Sequence, residues 1–179
     1  MKPDPDMTDA LRALAELSGR RFHHVTHDGT GVTYNPLRHG TAAQRRNILI
    51  EAEANAANGG FSEPHYRITG SRFTLLALRA LEQACELRES YSFGGHRRNW
   101  TMDIHDLTRM MRPSFLEHMA DVGEDEGLKA DIRDYFQEMQ DDPSVAGGVG
   151  GMRARFSNIA EGAAGATLRE DTAGLDLRE

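Results

Sequence analysis

The sequence predicts a mainly α protein, a helical bundle of about five or six helices with a small N-terminal β element. Three observations support this. Apolar residues recur at helical spacing over most of the 179 residues, between glycine and proline stop signals. β-Branched and aromatic residues cluster in the N-terminal part, within residues 21–34. The segments between the predicted helices are short, which is typical of helices that pack as one unit.

The N-terminal part combines one helix with the β element. A helix is predicted over residues 9–17, where leucines recur on one face, and Gly19 can end it. Residues 21–27 are rich in β-branched and ring-bearing side chains and predict a strand. The Asp-Gly-Thr-Gly sequence at 28–31 is typical of a turn, and a short extended piece is expected at 32–34.

The middle of the chain predicts two longer helices. The first begins at Thr41 and stops at the Asn-Gly-Gly sequence of 58–60. The second begins after Ser62, which can cap it, and continues to Leu87. Residues 73–81 are apolar on more than one face, so this helix is expected to be the central buried one.

The C-terminal half predicts shorter helices. They are expected at 101–111, where Thr101 would be the cap, and at 113–120, 128–139 and 152–160. The polar residues 90–99 are expected to form a loop. The glycine-rich residues 147–151 have no following lysine and follow no strand, so we expect them to break a helix rather than bind phosphate. Residues 162–179 are expected to be extended.

The composition restricts the class of protein. The formal net charge is −7, and the acidic residues concentrate in residues 117–142, a surface that would repel nucleic-acid phosphate. Cys85 is the single cysteine, which excludes an internal disulfide and predicts a buried structural thiol. No apolar run approaches the roughly 20 residues that span a bilayer. We therefore expect a cytoplasmic location without membrane contact.

The acidic region is the first candidate binding surface. Its candidate docking residues are Glu124, Asp125, Glu126, Asp131 and Asp134. Carboxylates on one helical face attract a basic partner and raise its association rate. The alternative is that they form an ordinary solvated face.

A second candidate is a nucleic-acid contact at Arg97, Arg98 and Trp100. Two guanidinium groups beside an indole can contact phosphate and stack on a base. The alternative is an ordinary basic loop, which the acidic composition of the chain favours.

The sequence lacks a recognisable catalytic constellation. It has neither a P-loop nor a Gly-x-Ser-x-Gly motif. His23, His24 and His27 resemble a metal cluster, but on a strand His24 would point away from the other two, and no carboxylate or thiol nearby completes a site. We therefore predict no catalytic residue, no metal and no cofactor, and a protein that is not an enzyme by itself.

Taken in order, the motifs of the chain resemble type IV coupling proteins of the TraD/TraG kind, which are related to the FtsK-like and HerA-like translocases. Tyr-Asn-Pro-Leu at 34–37 resembles the exit from the ATPase core, and residues 61–81 resemble the helix that opens the all-α insertion. Residues 100–107 resemble a later helix start, and residues 151–165 resemble the helix that returns to the core. Both nucleotide-binding signatures of that family are missing.

The resemblance implies a domain organisation and a function. Residues 1–37 would flank a RecA-like core, 38–165 would form the all-α domain, and 166–179 would return to the core. The chain would be an excised segment, monomeric in isolation, of a hexameric DNA-translocating ATPase at the inner face of the cell membrane. Its partner would be a relaxase, the relaxosome or a secreted protein. The alternative from the residues alone is a self-standing helical interaction factor, such as a phage or plasmid accessory protein.

Overall fold

The computed structural model describes residues 5–26, 28–55, 64–87, 92–93, 96–97, 99–169 and 174–176. In this part the chain forms seven α-helices: α1 (Pro5–Leu17), α2 (Ala42–Ala54), α3 (Pro64–Leu87), α4 (Ile104–Met110), α5 (Pro113–Val122), α6 (Glu126–Asp141) and α7 (Pro143–Glu161). Two-residue strands β1 (Ser92–Phe93) and β2 (His96–Arg97) pair antiparallel within the predicted 90–99 loop. The mainly helical class predicted from the sequence is confirmed.

Helix α3 is the centre of the bundle. It packs against α2, α4, α5, α6 and α7. Phe73, Ala77, Leu78 and Leu81 of α3 are completely buried. Around them lie apolar side chains of the other helices, including Leu107, Met110, Met119, Ile132, Met152 and Phe156. The apolar character of residues 73–81 on several faces follows from this surrounded position, and the prediction of a central helix is confirmed.

Side-chain caps define where α2 and α4 begin, among other helices. Thr41 and Gln44 form a capping box at α2, in which each side chain accepts the backbone N–H of the other. At α4 the cap is Asp103, whose carboxylate accepts the N–H of Asp106 at 2.9 Å. The expectation that Thr101 is the cap was wrong, because its hydroxyl donates to the Asp103 and Asp106 carboxylates instead.

The glycine-rich residues 147–151 do not break a helix, so that prediction was wrong. They lie within α7, where the close approach of α3 requires a glycine at position 148. A Cβ on Gly148 would lie 3.0 Å from the Cβ of Thr69. On the facing helix, a Cβ on Gly70 would lie 3.1 Å from the Cβ of Met152. Tertiary packing here outweighs the low helix propensity of glycine.

The small N-terminal β element is not seen among the described residues, so that prediction was also wrong. Residues 20–26 and 28–33 form no strand; His27 lies outside the described residues. The backbone N–H of Val32 donates to the His24 carbonyl at 2.8 Å, but no ladder follows. A two-stranded hairpin without a further layer is marginal in water, which accounts for the outcome.

The segments that border the helical unit meet each other. Tyr34 forms an isolated parallel bridge with Leu175, whose N–H donates to the Thr33 carbonyl at 2.8 Å. His39 Nε2 lies 2.7 Å from Asp176 Oδ2. Within the region expected to be extended, residues Ala163–Ala166 instead form one turn of 3-10 helix. The chain therefore enters and leaves the bundle at one place.

Helix α1 leaves its apolar face in solvent. Met7, Leu11, Leu14 and Leu17 are 63, 48, 61 and 88% exposed. Gly19 follows the helix with a φ of 67°, as expected of a C-terminal cap. None of the helices in the described part of the chain is both long and apolar enough to cross a membrane.

Candidate partner-binding surface

The acidic surface comprises the exposed carboxylates of α5, of the α5–α6 turn and of α6 as far as Asp134. Its members are Glu117, Asp121, Glu124, Asp125, Glu126, Asp131 and Asp134, all of them exposed. The two helices contact each other, and they bury Leu116, Met119, Leu128 and Ile132 in the core, which leaves the charged positions outward. The five predicted docking residues thus occupy the start and the middle of one amphipathic helix and the turn before it.

Asp125 has a structural role in this surface. It is the N-cap of α6, and its Oδ1 accepts the N–H of Leu128 at 3.0 Å. This backbone N–H, followed by the charge of Arg79, lowers the pKa of Asp125 below its usual value. The carboxylate is therefore engaged in starting the helix as well as facing solvent.

Arg79 of α3 partly neutralises the surface. Its Nη1 lies 2.5 Å from Asp131 Oδ2, and its Nη2 lies 3.4 Å from Asp125 Oδ2. One guanidinium thus links the central helix to both carboxylates. Exposed ion pairs contribute little to stability, but they reduce the charge that a partner meets.

Glu126 is also paired within the protein. Its Oε1 lies 2.8 Å from Nζ of Lys129, one helical turn away. The hydrogen bond from Lys129 is the main reason why the pKa of Glu126 is lowered. Of the five predicted docking residues, three are therefore already engaged by cations.

The carboxylates of Glu124 and Asp134 are different. Neither forms an ion pair with another described residue, and both are exposed. The same holds for Glu117 and Asp121 on α5. These four uncompensated charges give the surface its negative potential and are the groups that a basic partner would meet first.

The predicted nucleic-acid contact does not assemble around Trp100. The Trp100 side chain is 6% exposed and packs edge-on against Phe115, with ring centroids 5.4 Å apart. The stacking role expected for this indole is incompatible with its burial. The backbone of Arg97 belongs to β2 and pairs with that of Ser92. The Arg97 side chain and the whole of Arg98 lie outside the described part of the chain.

The described residues offer no metal site. No group of three or more histidine, cysteine or acidic side chains is arranged to hold an ion in the described part of the chain. His105 Nε2 lies 2.8 Å from the Gly165 carbonyl oxygen, which joins α4 to the turn after α7. Cys85 is half-buried, where the sequence predicted a buried thiol.

Sequence reasoning missed an apolar groove between α6 and α7. Its volume is about 300 Å³, and Phe136, Met139 and Val149 form much of its wall. Gly150 and Arg153 of α7 and Pro113 of α5 also line it. The amphipathic spacing of α6 pointed to Phe136 and Met139 as inward-facing residues, but nothing local indicated that the neighbouring helix would leave them partly uncovered.

Comparison with known proteins supplies no relative. The chain matches no protein-family model, no curated protein and no solved structure.

Proposed function

We propose that this protein is the partner-recognition, all-α domain of a DNA-translocating coupling protein of conjugation or type IV secretion, without catalysis of its own. The observation that carries the proposal is the parallel pairing of Tyr34 with Leu175. It brings the segment that enters the helical unit beside the segment that leaves it. A helical domain inserted between neighbouring strands of a RecA-like sheet needs this arrangement, since such strands run parallel.

In this proposal the bordering segments 1–37 and 166–179 belong to the edge of the ATPase core. Residues 38–165 are the recognition domain, and α2–α7 lie within them. ATP binding and hydrolysis belong to the hexameric parent, as do its cytoplasmic location and membrane attachment. The His39–Asp176 contact of 2.7 Å helps to hold the two borders together.

The partner in this proposal is a basic protein, either a relaxase on its DNA or another secreted protein. The uncompensated carboxylates of Glu124 and Asp134 supply the long-range attraction. Asp125, Glu126 and Asp131 would exchange part of their internal pairing for contacts with the partner. Such a surface repels DNA itself, so binding to a relaxase–DNA complex proceeds through the protein component.

The test is a binding measurement with a purified relaxase on its origin-of-transfer DNA, both from the genome that encodes this protein. We expect the association rate to fall as salt rises. The double variant Glu124→Lys, Asp134→Lys should associate about tenfold more slowly and with a weaker salt dependence. The control is Glu161→Lys, a charge reversal at an exposed residue at the end of α7, which should bind as the unchanged protein does.

Two outcomes would overturn the proposal. If the relaxase complex does not bind, or if charge reversal leaves rate and salt dependence unchanged, the acidic surface is not a docking site for it. Binding to basic proteins unrelated to transfer or secretion would instead favour the self-standing interaction factor.

A further inference from the structure

The groove between α6 and α7 has an apolar floor and an exposed rim. Val149 is 7% exposed, and the half-buried Phe136 and Met139 pack against the core. The rest of the lining is exposed and comprises Pro113, Gln140, Ala146, Gly150 and Arg153. The volume of about 300 Å³ is at the lower end of the range for small-molecule sites. It is the liquid volume of about ten water-sized groups, so an apolar body of that size fits.

Two polar side chains of the rim have no partner among the described residues. The Arg153 guanidinium forms neither an ion pair nor a hydrogen bond with any of them, and the Gln140 amide forms no hydrogen bond with them. By contrast, Arg155, two residues later in α7, is paired with Glu53. A guanidinium and an amide at the edge of an apolar groove are hydrogen-bond donors for an anionic group of a ligand.

The groove is positively charged in a protein whose net charge is −7. None of its eight described lining residues is acidic, and Arg153 is the cation among them. On α6, Asp131 and Asp134 are five and two residues from Phe136, which places them roughly 140° and 160° around the helix from it. These carboxylates of the acidic surface therefore lie on the far side of α6 and do not neutralise Arg153 directly.

We propose that this groove binds a small amphipathic carboxylate, a molecule with an apolar chain or ring, one carboxylate and about ten non-hydrogen atoms. Its apolar body lies over Val149, against Phe136 and Met139, and its carboxylate accepts hydrogen bonds from Arg153 and Gln140. The guanidinium repels a cationic ligand and gains nothing from a neutral one, which gives the site its selectivity. The proposal does not rest on the recognition function, which uses the acidic surface.

The two parts of the ligand contribute differently to binding. Burial of the apolar body supplies most of the affinity, because it removes apolar area from water on both sides of the contact. The carboxylate contributes less, since Arg153 is exposed and its charge is screened by solvent. For a ligand of this size we expect a dissociation constant of about 0.1 to 1 mM.

The experiment is an NMR titration of the full chain with octanoate, which has about ten non-hydrogen atoms, as the volume requires. The backbone amides of Val149 and Gly150 should shift along one saturable binding curve. 1-Octanol and octyltrimethylammonium carry the same chain without a charge and with the opposite charge. Octanol should bind at least about threefold more weakly than octanoate, and the ammonium at least about tenfold more weakly.

One pair of variants tests the groove itself. Ala146→Leu enlarges a side chain on the groove face of α7 and should weaken octanoate binding at least about tenfold. Its control is Ala154→Leu, the same enlargement at an exposed position of α7 that does not line the groove. The control should bind octanoate as the unchanged protein does. The amide spectra of both variants show directly whether they fold.

A second pair tests the charge. Arg153→Gln should weaken octanoate binding about fivefold and leave octanol binding unchanged, which separates loss of the cation from loss of the groove. Its control is Arg20→Gln, which removes an exposed arginine that follows α1 and does not line the groove. Octanoate should bind this control with unchanged affinity.

The proposal is overturned if octanoate produces no saturable shifts up to about 5 mM, well above the expected dissociation constant. It is equally overturned if octanol or the ammonium binds as tightly as octanoate, or if Ala146→Leu or Arg153→Gln leaves octanoate binding unchanged. Shifts spread over the whole chain, without saturation at the groove, would mean unspecific association with apolar surfaces and would also overturn it. None of these results bears on relaxase binding by the acidic surface.

Discussion

Gly148 of α7 lies against Thr69 of α3 so closely that a Cβ on the glycine would be 3.0 Å from Thr69 Cβ and 3.3 Å from Thr69 Cγ2. Two residues later in the same helix, Gly150 faces open space. Gly148 thus has no room for a side chain, whereas Gly150 has room for one, although both have the same poor helix propensity. They form a matched pair for testing how the central helix crossing is packed.

We predict that Gly148→Ala lowers the free energy of unfolding by about 1–3 kcal/mol, because its methyl group forces α3 and α7 apart. Gly150→Ala should raise it by up to about 1 kcal/mol, since alanine favours the helix and meets no neighbour. Urea denaturation of both variants at low protein concentration measures the two changes. Equal effects at the two positions would contradict the tight contact between α3 and α7.

An ion pair between a buried carboxylate and a partly exposed arginine joins α2 to α7. Arg155 Nη1 forms a salt bridge with Oε1 of Glu53, and the Glu53 side chain is 4% exposed. The other carboxylate oxygen, Oε2, receives no hydrogen bond from the described residues. Glu53 therefore depends on Arg155 to offset the loss of solvation of its charge.

We predict that Arg155→Leu lowers the free energy of unfolding by about 2 kcal/mol, since it leaves the Glu53 carboxylate buried without its cation. Removing both charges in Glu53→Leu, Arg155→Leu should recover most of this loss, because the solvation cost disappears as well. Chemical denaturation of the single and double variants completes the cycle. A double variant less stable than Arg155→Leu would contradict this explanation, because it would mean that the unpaired Glu53 carboxylate costs the folded protein nothing.

We predict that the free energy of unfolding depends on pH through Glu82. Burial raises the pKa of Glu82 above its usual 4.5, and the salt bridge with Arg45 only partly opposes this. A carboxyl with a raised pKa holds its proton more tightly in the folded protein. Its contribution to stability is therefore complete below pH 4.5 and is lost as the pH rises through the folded-state pKa.

The test compares the unchanged protein with Glu82→Gln, which cannot ionise at this position. We expect the stability of the unchanged protein relative to this variant to fall as the pH rises from about 4 to 7. Denaturation curves at several pH values measure the difference. The opposite slope would mean that attraction by Arg45 outweighs burial.

We predict that the fluorescence of Trp100 is that of a buried indole. It is the single tryptophan of the chain and packs against Phe115 in the core. Its fluorescence should lie at shorter wavelength than that of an exposed indole and resist quenching by iodide. Adding single-stranded DNA should leave the emission unchanged, since a buried ring cannot stack on a base. Quenching of the Trp100 emission by DNA would instead support the nucleic-acid contact predicted from the sequence.

Local patterns predicted the helices well because apolar spacing and caps act within a few residues. The helix after Ser62 and the acidic face of α6 follow from such patterns. The continuity of α7 could not be predicted, since the need for Gly148 comes from Thr69 on a distant helix. The partial neutralisation of Asp131 by Arg79 could not be predicted either, because it depends on how α3 and α6 pack.

The aromatic residue beside two arginines was misinterpreted for a related reason. Composition alone placed Trp100 with its polar neighbours, whereas its burial is decided by Phe115 in α5. The apolar face of α1 was misjudged in the opposite direction, since it is exposed rather than buried. Its helical period was evident, but an apolar face normally packs inward, and only the structure reveals that this one does not.

The meeting of the two border segments has a consequence for the order of folding. His39 and Asp176 are 137 residues apart in the chain, and Thr26 and Thr167, joined by a hydrogen bond, are 141 apart. Closing so long a loop costs entropy that few contacts at the border return at once. The helices are built from much shorter-range contacts and can form earlier. The border should therefore close late, once the bundle has already brought its two ends together.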